Sequence, residues 1–190
     1  MARPREFDPD KATSRIMDAF WRAGYDATSL ADLMAATGLK KGSLYAAFGD
    51  KRAMYLRGLA AYDAKYVDTV VDMMMQREGE HALRAFLELP AQAVEGKDRR
   101  GCFLCNASAE TEALDEPARS LAESSRRKLA GAIHTALKQA QDQGARIPDL
   151  EARADQVLAL YFGMRILARS GTPVERIRAA ANDMLNQLGV

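Results

Sequence analysis

The residues of one short segment suit phosphate binding: Lys40, Lys41, Gly42 and Ser43. If they open a helix, its free backbone N–H groups and dipole favour an anion, and the small side chains allow close approach. The Tyr45 hydroxyl, one turn further on, can reach a phosphate or a base edge. Lys51 follows Asp50, a residue type that caps helices, and predicts a second positively charged helix start. Taken singly, each lysine is also compatible with a solvated surface, and Tyr45 with partly buried packing.

Cys102 and Cys105 form a C-x-x-C pair with several interpretations. A thioredoxin-like redox site needs a βαβ context, and a zinc site needs two further ligands with suitable spacing, which the two histidines of the chain lack. A thiol sensor is the sharper hypothesis, because Arg99, Arg100 and a helix N-terminus would lower a cysteine pKa and favour reaction with oxidants or electrophiles. The alternative is that both cysteines fill apolar space. No metal site and no cofactor are predicted.

Helical periodicity dominates the chain, and no alternating run predicts a strand. The predicted helices lie between Asp8 and Gly24, between Ser29 and Gly38, over 40–48, from Lys51 to about Gln76, and near 80–95, 103–113, 117–143, 150–169 and 173–188. Pro90 is expected to kink or end the helix that contains it. Gly38 permits the tight turn that sets two helices at a large angle. The predicted fold class is all-α, with an N-terminal three-helix helix-turn-helix domain and a larger C-terminal helical domain.

The composition indicates a folded protein with a mild charge asymmetry. Of the 190 residues, 48% are hydrophobic and 28% are charged, which suffices for a core and a polar surface. Residues 1–60 carry a net charge of +3 and residues 61–190 a net charge of −2, and this sign suits a DNA-binding N-terminal part. Because the N-terminus lacks a secretory signal and the longest apolar stretch is too short to cross a bilayer, we expect a cytoplasmic protein without membrane contact.

The last two predicted helices carry wide apolar faces. Their apolar residues are Val157, Leu158, Leu160, Tyr161, Phe162, Met164, Ile166 and Leu167 in one helix, and Val174, Ile177, Ala181, Met184, Leu185 and Leu188 in the other. Such a helix pair suits a four-helix interface between two copies, so we predict a homodimer formed through these helices. The alternative is that both faces fill the core of a monomer.

The segment from Phe20 to Tyr55 resembles the TetR family of bacterial one-component regulators. The matching residues are Phe20, Gly24, Tyr25, Ala27, Thr28, Ser29, Leu30, Ala35, Thr37, Gly38, Leu39, Lys41, Gly42, Ser43, Leu44, Tyr45, Phe48, Asp50 and Lys51. The pattern is long and ordered, and it covers about a third of the chain. In addition, the segment from Gly101 to Asn106 is similar to the one that enters the sixth helix in one branch of the family.

The resemblance implies a DNA-binding domain over 1–52 and a ligand-binding and dimerisation domain over 53–190. It implies that Thr28 and Ser29 contact phosphate beside the recognition helix, and that Arg3 and Arg5 form an arm that reaches the minor groove. The expected partner is a double-stranded DNA operator, read by two recognition helices about 34–36 Å apart. An unidentified small-molecule inducer, or thiol modification, would move the fourth helix and spoil that spacing.

The implied function is that of a DNA-binding transcriptional regulator, usually a repressor, and not an enzyme. The alternative is a helical protein-interaction scaffold that does not bind DNA. The sequence departs from the family pattern in two places. Lys40 occupies a place where a Ser or Thr helix cap is common, and Ala46 and Ala47 cannot hydrogen-bond a base edge, so base readout rests on few residues and shape readout supplies more.

The resemblance also implies a ligand pocket among the C-terminal helices. Its candidate lining residues are Tyr62, Tyr66, Phe86, Phe103, His134, Tyr161, Phe162 and Arg165. Aromatic residues at helical spacing are equally characteristic of a core. Arg165 is the most informative of them, because a cation on an apolar face needs an anionic partner, either a ligand carboxylate or an Asp or Glu across the interface.

Overall fold

The computed structural model describes residues 7–109 and 116–190, and this part of the chain is helical without a β-strand. Its elements are α1 (Pro9–Ala23), α2 (Leu30–Thr37), α3 (Lys41–Phe48), α4 (Lys51–Tyr62), a π-helical turn (Asp63–Val67), α5 (Asp68–Met75), α6 (Gly79–Glu95), α7 (Phe103–Ala109), α8 (Glu116–Asp142), α9 (Leu150–Arg169) and α10 (Val174–Leu188). The predicted all-α fold class is confirmed. None of the helices in the described part has the length and apolar character that a membrane span requires.

Local sequence signals set the ends of the first helices. The Asp8 carboxylate caps α1 by accepting two backbone N–H groups of the first turn, which would otherwise lack a partner. Ser29 and Asp32 cap α2 reciprocally, each side chain accepting the backbone N–H of the other residue. Gly38 ends α2 with a φ of 74°, a left-handed conformation in which a Cβ would be strained. The chain therefore turns sharply from α2 into α3.

The three N-terminal helices form a small core, and we call this part of the molecule the head. Phe20, Leu33, Leu44 and Phe48 are at most 2% exposed, and burying side chains of this size contributes about 1.5–3 kcal/mol each. Because Leu44 and Phe48 point into this core, the opposite side of α3 is left to solvent. The head packs onto α4, where a Cβ added to Gly58 would lie 3.3 Å from the Cα atom of Met17.

The helix predicted from Lys51 to about Gln76 is not one regular α-helix. The π-helical turn at Asp63–Val67 separates α4 from α5, and such turns widen a helix locally and are frequent at functional sites. The Asp63 carboxylate in this turn accepts the Ser125 hydroxyl and lies 2.6 Å from the Lys128 ammonium. Lys128 also lies 2.7 Å from the Asp68 carboxylate. These polar contacts fix the turn against α8.

Pro90 does not end its helix, contrary to that part of the sequence prediction. Helix α6 continues through Pro90 to Glu95, although proline removes one backbone donor from the helix. The neighbouring Leu87 and Ala91 are fully buried. Their burial stabilises the helix on both sides of the proline, and this stabilisation outweighs the loss of one hydrogen bond.

The last two helices divide their apolar residues between the core and the surface. The buried ones are Val157, Leu158, Tyr161, Met164, Ile177, Ala181, Leu185 and Leu188. Ile166 and Leu167 of α9 remain 55% and 46% exposed. Most of the apolar pattern therefore fills the core of the single chain, and a smaller apolar face of α9 remains outside it.

Candidate functional site

The solvent-facing side of α3 carries the predicted phosphate-binding residues. Lys40 occupies the N-cap position in an extended conformation and makes no side-chain hydrogen bond to the helix, so the first N–H groups of α3 have no side-chain cap. Lys41, Gly42 and Ser43 are exposed, and Tyr45 is 39% exposed. The Lys41 ammonium lies 5.9 Å from the centroid of the Tyr45 ring. The structure thus brings the five residues, which we call the tip, onto one free surface that suits an anion.

Two of the predicted flanking residues lie at the starts of neighbouring helices. Ser29 is exposed at the beginning of α2, where its hydroxyl oxygen accepts the Asp32 N–H at 3.1 Å. Lys51 begins α4, and its ammonium lies 4.5 Å from the centroid of the Tyr25 ring. Both residues therefore lie at helix N-termini, a position that favours an anion.

Thr28 is placed differently from Ser29. It is 1% exposed, and its hydroxyl donates a hydrogen bond of 2.6 Å to the Gly24 carbonyl oxygen. In this structure the Thr28 side chain therefore braces the turn between α1 and α2. The predicted minor-groove arm, Arg3 and Arg5, lies outside the described residues.

A cavity of about 340 Å³, which we call the inner cavity, lies beside the π-helical turn between α1, α6 and α9. Four of the eight candidate ligand residues line it: Tyr62, Tyr66, Tyr161 and Arg165. Trp21 and Cys102 also line it, and Trp21 comes from the head. The rest of the wall is mostly aliphatic, including Val67 and Leu129, and its polar members are Thr69, Gln92 and Asp98. A site of this size, with an apolar wall and few polar groups, is typical of small-molecule binding.

The other four candidates lie elsewhere. Phe86 is fully buried behind the inner cavity, where its ring stacks on Tyr161 with 4.2 Å between centroids. Phe103 is 1% exposed and packs edge-on against Tyr62. Phe162 lines a second cavity of about 420 Å³ between α7, α8 and α9, and half-buried His134 on α8 lines neither cavity. Phe86 and Phe103 are thus buried in the core, where they pack against the cavity residues Tyr161 and Tyr62.

Arg165 enters the inner cavity from α9 and is 9% exposed. Its Nη2 donates a hydrogen bond of 2.6 Å to the Gly101 carbonyl oxygen, and its Nε has no hydrogen-bond partner. Among residues 7–109 and 116–190, no Asp or Glu forms an ion pair with it. Within the described chain its hydrogen-bond acceptor is thus a backbone carbonyl, and the anionic partner expected from a ligand or from across an interface stays a prediction.

The two cysteines are free thiols that lie one turn apart at the start of α7. Cys102 is buried and accepts a hydrogen bond from the Tyr62 hydroxyl at 3.6 Å. Hydrogen bonding from the Cys105 thiol, helped by Tyr62 and the charge of Arg165, outweighs desolvation and lowers the pKa of Cys102 to about 6. The same contact and burial raise the pKa of Cys105. The arrangement favours one thiolate, on Cys102, at neutral pH.

The cation that acts on Cys102 is not the one expected. Arg99 donates to the Ala168 carbonyl oxygen, and Arg100 binds the Asp98 carboxylate. The prediction that these two arginines lower the cysteine pKa is therefore corrected in favour of Arg165, which lies 63 positions beyond Cys102 in the chain. Within the described residues, no group of His, Cys, Asp and Glu is arranged to hold a metal ion.

A polar cluster that the sequence did not indicate connects the head to the C-terminal helices. We call it the junction, and its members are Asp18, Trp21, Arg100, Gly101 and Arg169. The Trp21 indole N–H donates to the Gly101 carbonyl oxygen at 3.3 Å, and the Arg100 guanidinium lies 3.6 Å from the indole centroid. Arg100 also lies 2.8 Å from the Asp18 carboxylate. Arg169 donates to the carbonyl oxygens of Trp21 and Arg100 at 3.4 and 3.0 Å.

Comparison with known proteins agrees with this arrangement over nearly the whole chain. Residues 14–57 match "Bacterial regulatory proteins, tetR family", and residues 79–185 match "Tetracyclin repressor-like, C-terminal domain". The chain is 30% identical to the HTH-type transcriptional repressor ComR of Escherichia coli, over 96% of this chain and 90% of that protein. It is 28% identical to a cysteine mutant of the TetR family regulator CifR, solved with a 26-base-pair operator duplex, with a TM-score of 0.81 over 98% of this chain and 100% of that one. A TetR family regulator from Agrobacterium tumefaciens shares the fold, with a TM-score of 0.84 at 18% identity over 95% of this chain and 99% of that one.

The fold and the site together define an all-helical regulator with a helix-turn-helix head and a cavity-bearing C-terminal part. The chain belongs to the TetR family of bacterial transcriptional regulators. The resemblance predicted from the residues of the head is thereby confirmed, and so is the prediction that the protein is a regulator and not an enzyme.

Proposed function

We propose that this regulator is a repressor that binds an operator in double-stranded DNA through α3 and its flanking helix starts. The observation that carries the proposal is the free face of α3, where uncapped N–H groups, two lysines and Tyr45 point away from the core. ComR is named as a repressor, and CifR was solved with operator DNA, which supports the same role here.

In this proposal some contacts position the protein on the duplex, and others recognise the base sequence. Lys41, Ser43 and the α3 N–H groups bind phosphate, while Ser29 and Lys51 extend the contact on either side. Such contacts set the register of the protein on the duplex and carry no sequence information. Ala46 is exposed on the same helix and offers only a methyl group to a base edge. Specificity therefore depends on few base contacts and on the shape of the duplex.

Binding across a series of salt concentrations tests this proposal. A duplex selected from random DNA by the wild-type protein serves as the probe. Lys41→Ala should weaken binding to every duplex and reduce the slope of log affinity against log salt by about one, because one phosphate contact is lost. Lys138→Ala, which removes an exposed lysine of α8, is the matched control and should change neither. A wild-type affinity that does not fall with salt would favour the alternative of a protein-interaction scaffold.

The dimer is proposed to form through α9 and α10. Ile166 and Leu167 leave an apolar face on α9 that the single chain does not cover, and a twofold pair would place two recognition helices on successive turns of the duplex. In size-exclusion chromatography with light scattering, Ile166→Asp should shift the mass from dimer to monomer. Met75→Asp changes a methionine that is 58% exposed on α5 and should leave the dimer intact. Equal masses for the two variants would contradict this interface.

A signal is proposed to reach the protein at the inner cavity, either as a bound small molecule or as modification of Cys102. The Cys102 sulfur lines the cavity and receives the Tyr62 hydrogen bond, so a thiolate there faces any molecule that enters. An alkylating maleimide should release the wild-type protein from its duplex. Cys102→Ser should remain bound, whereas Cys105→Ser should still be released. Equal release of Cys102→Ser would exclude thiol modification at this position as the signal.

A further inference from the structure

The inner cavity contains a buried cation whose hydrogen bonding is incomplete. The guanidinium of Arg165 is permanently charged, and its residue is 9% exposed. Burying such a charge is costly unless an opposite charge and hydrogen bonds compensate it. In the described chain it has one backbone carbonyl, on Gly101, and its Nε has no partner. Asp98 and Cys102 line the same cavity and act on the charge of Arg165, but neither accepts a hydrogen bond from Nε. The arginine therefore still lacks an acceptor at this atom.

The edge of the guanidinium that lacks this acceptor selects the shape of the anion. Nε and Nη2 form one edge of the planar group, and a carboxylate can grip such an edge with two parallel hydrogen bonds. The Asp98 carboxylate also lines the cavity, but it is already bound by Arg100 through hydrogen bonds of 2.9 Å. A carboxylate from a ligand is thus the group that would supply the missing hydrogen-bond acceptor of Arg165.

The remaining wall selects the body of the ligand. Trp21, Tyr62, Tyr66 and Tyr161 surround the space with aromatic rings, which contact flat apolar groups by stacked or edge-on packing. The volume of about 340 Å³ is at the small end of the range for ligand sites. It suits a single-ring molecule better than an extended one.

The arginine also connects this site to the head through one shared atom. The Gly101 carbonyl oxygen accepts both Arg165 Nη2 at 2.6 Å and the Trp21 indole N–H at 3.3 Å. A carboxylate oxygen bound to Nη2 would lie beside that carbonyl oxygen, and its negative charge repels the partial negative charge of the carbonyl oxygen. Gly101 has a φ of 78°, and an added Cβ would lie 3.3 Å from the Arg165 carbonyl oxygen. The loop and α9 are therefore packed closely enough for a change at one to move the other.

We propose that the inner cavity binds a small aromatic carboxylate through the Nε–Nη2 edge of Arg165, and that binding weakens the hydrogen bond from Trp21 to Gly101 and so releases the head from DNA. The second half rests on the proposed function, whereas the binding site does not. Cys102 lines the same cavity, so its modification and the carboxylate would act on one junction.

Trp21 provides the direct measurement, because it is the only tryptophan of the chain and lines the cavity. Benzoate is the probe, and benzamide, which has the same ring without the charge, is its matched control at equal ionic strength. Benzoate should change the Trp21 fluorescence saturably, with an affinity roughly tenfold or more above that of benzamide, because a charge-assisted contact is lost in the amide. Equal affinities for the two probes would overturn the proposal.

Two variants test the arginine itself. Arg165→Gln should remove the preference for benzoate, and Arg165→Lys, which keeps the charge but lacks the two-donor edge, should reduce it. Arg84→Gln, an exposed arginine of α6, is the control and should behave as wild type. Circular dichroism establishes that each variant is folded. A folded Arg165→Lys with unchanged benzoate affinity, or an unchanged preference in Arg165→Gln, would contradict the site.

The coupling is tested separately from the site. Benzoate should release the selected duplex from the wild-type protein. Trp21→Phe lacks the hydrogen bond to Gly101 from the start, so it should bind the duplex more weakly without benzoate. At a benzoate concentration that calorimetry shows to saturate each protein, it should show little further release. If benzoate binds and Trp21→Phe is released as fully as wild type, the shared carbonyl is not the connection. If benzoate binds but the wild-type protein binds no DNA, the proposed function fails and the anion site stands.

Discussion

The tip and the junction both carry cationic side chains, but they use them in opposite ways. At the tip, Lys40 and Lys41 are exposed and form no ion pair within the part of the chain that the structure describes. At the junction, Arg100 binds two carboxylates and covers the Trp21 ring. A cation without a protein partner contributes little to folding and is free to bind an anion. A cation with several partners joins elements together.

Because of this difference, substitutions in the two regions should change different properties of the protein. At the tip, a change should alter DNA affinity and leave the free energy of unfolding nearly constant. At the junction, it should alter stability and the connection between cavity and head. The two regions are joined by α1, which carries Asp18 and Trp21 at one end and packs against α2 in the head.

The largest expected effect is that of Trp21→Ala at the junction. The residue is 1% exposed, and removing a buried aromatic side chain costs about 3–5 kcal/mol. Tyr45→Ala at the tip removes an aromatic ring that is 39% exposed and should change stability by less than about 0.5 kcal/mol. Urea unfolding followed by circular dichroism measures both. Similar losses in the two variants would remove the distinction between the regions.

The reactivity of Cys102 provides a second, smaller test of the region beside the junction. Its pKa is lowered to about 6, so its thiolate forms as pH rises through 6, and the rate of alkylation should level off above about pH 7. An ordinary thiol, with a pKa near 8.5, continues to gain reactivity above that pH. At pH 7 the thiolate fraction of Cys102 should exceed that of an ordinary thiol by more than about tenfold. Mass spectrometry of iodoacetamide adducts against pH measures the profile.

Variants of the neighbouring cysteine identify the cause of this shift. The Cys105 thiol donates the hydrogen bond that contributes most to the lowered pKa of Cys102. Cys105→Ala removes the donor and should move the midpoint to higher pH, whereas Cys105→Ser retains a donor and should move it less. An unchanged midpoint in Cys105→Ala would assign the shift to Tyr62 and Arg165 alone.

The sequence predicted the tip well because the tip depends on local signals. The glycine at 38, the capping pair of Ser29 and Asp32 and the basic helix start at 40–43 lie within fifteen residues of one another, and each acts on its own turn of helix. Exposure of Lys41 and Ser43 then follows from burial of Leu44 and Phe48 on the other side. Such patterns can be read without knowing the tertiary fold.

The junction and the inner cavity could not be predicted in this way. Trp21, Arg100 and Arg169 are separated by 79 and 69 positions in the chain, and no periodicity relates one to another. The π-helical turn could not be predicted either, because the residues that hold Asp63 there, Ser125 and Lys128, come from α8 and are distant in sequence. Four of the eight candidate pocket residues line the inner cavity, and the contact of any of them with a ligand stays a prediction. Helical spacing shows which aromatic residues face inward but does not distinguish a cavity wall from the core behind it.

The smallest expected effect concerns the exposed start of α3, where stability and DNA binding are in direct competition. Lys40 leaves the first N–H groups of α3 without a side-chain cap. Lys40→Ser should provide a cap and stabilise the protein by about 0.5–1 kcal/mol, measured by urea unfolding. The same change should weaken binding to the selected duplex for two reasons. It removes a cation, and the serine hydroxyl accepts a hydrogen bond from an N–H group that would otherwise donate to phosphate.

Lys40→Ala separates the two contributions, because it removes the charge without adding a cap. If the free N–H groups bind phosphate, Lys40→Ser should bind DNA more weakly than Lys40→Ala despite being the more stable protein. If the lysine charge alone matters, the two variants should have equal DNA affinity and equal salt dependence. Weaker binding by Lys40→Ser than by Lys40→Ala would mean that the uncapped N–H groups of α3 are part of the DNA-binding surface. The absence of a cap would then lower the stability of the head and strengthen its binding to DNA.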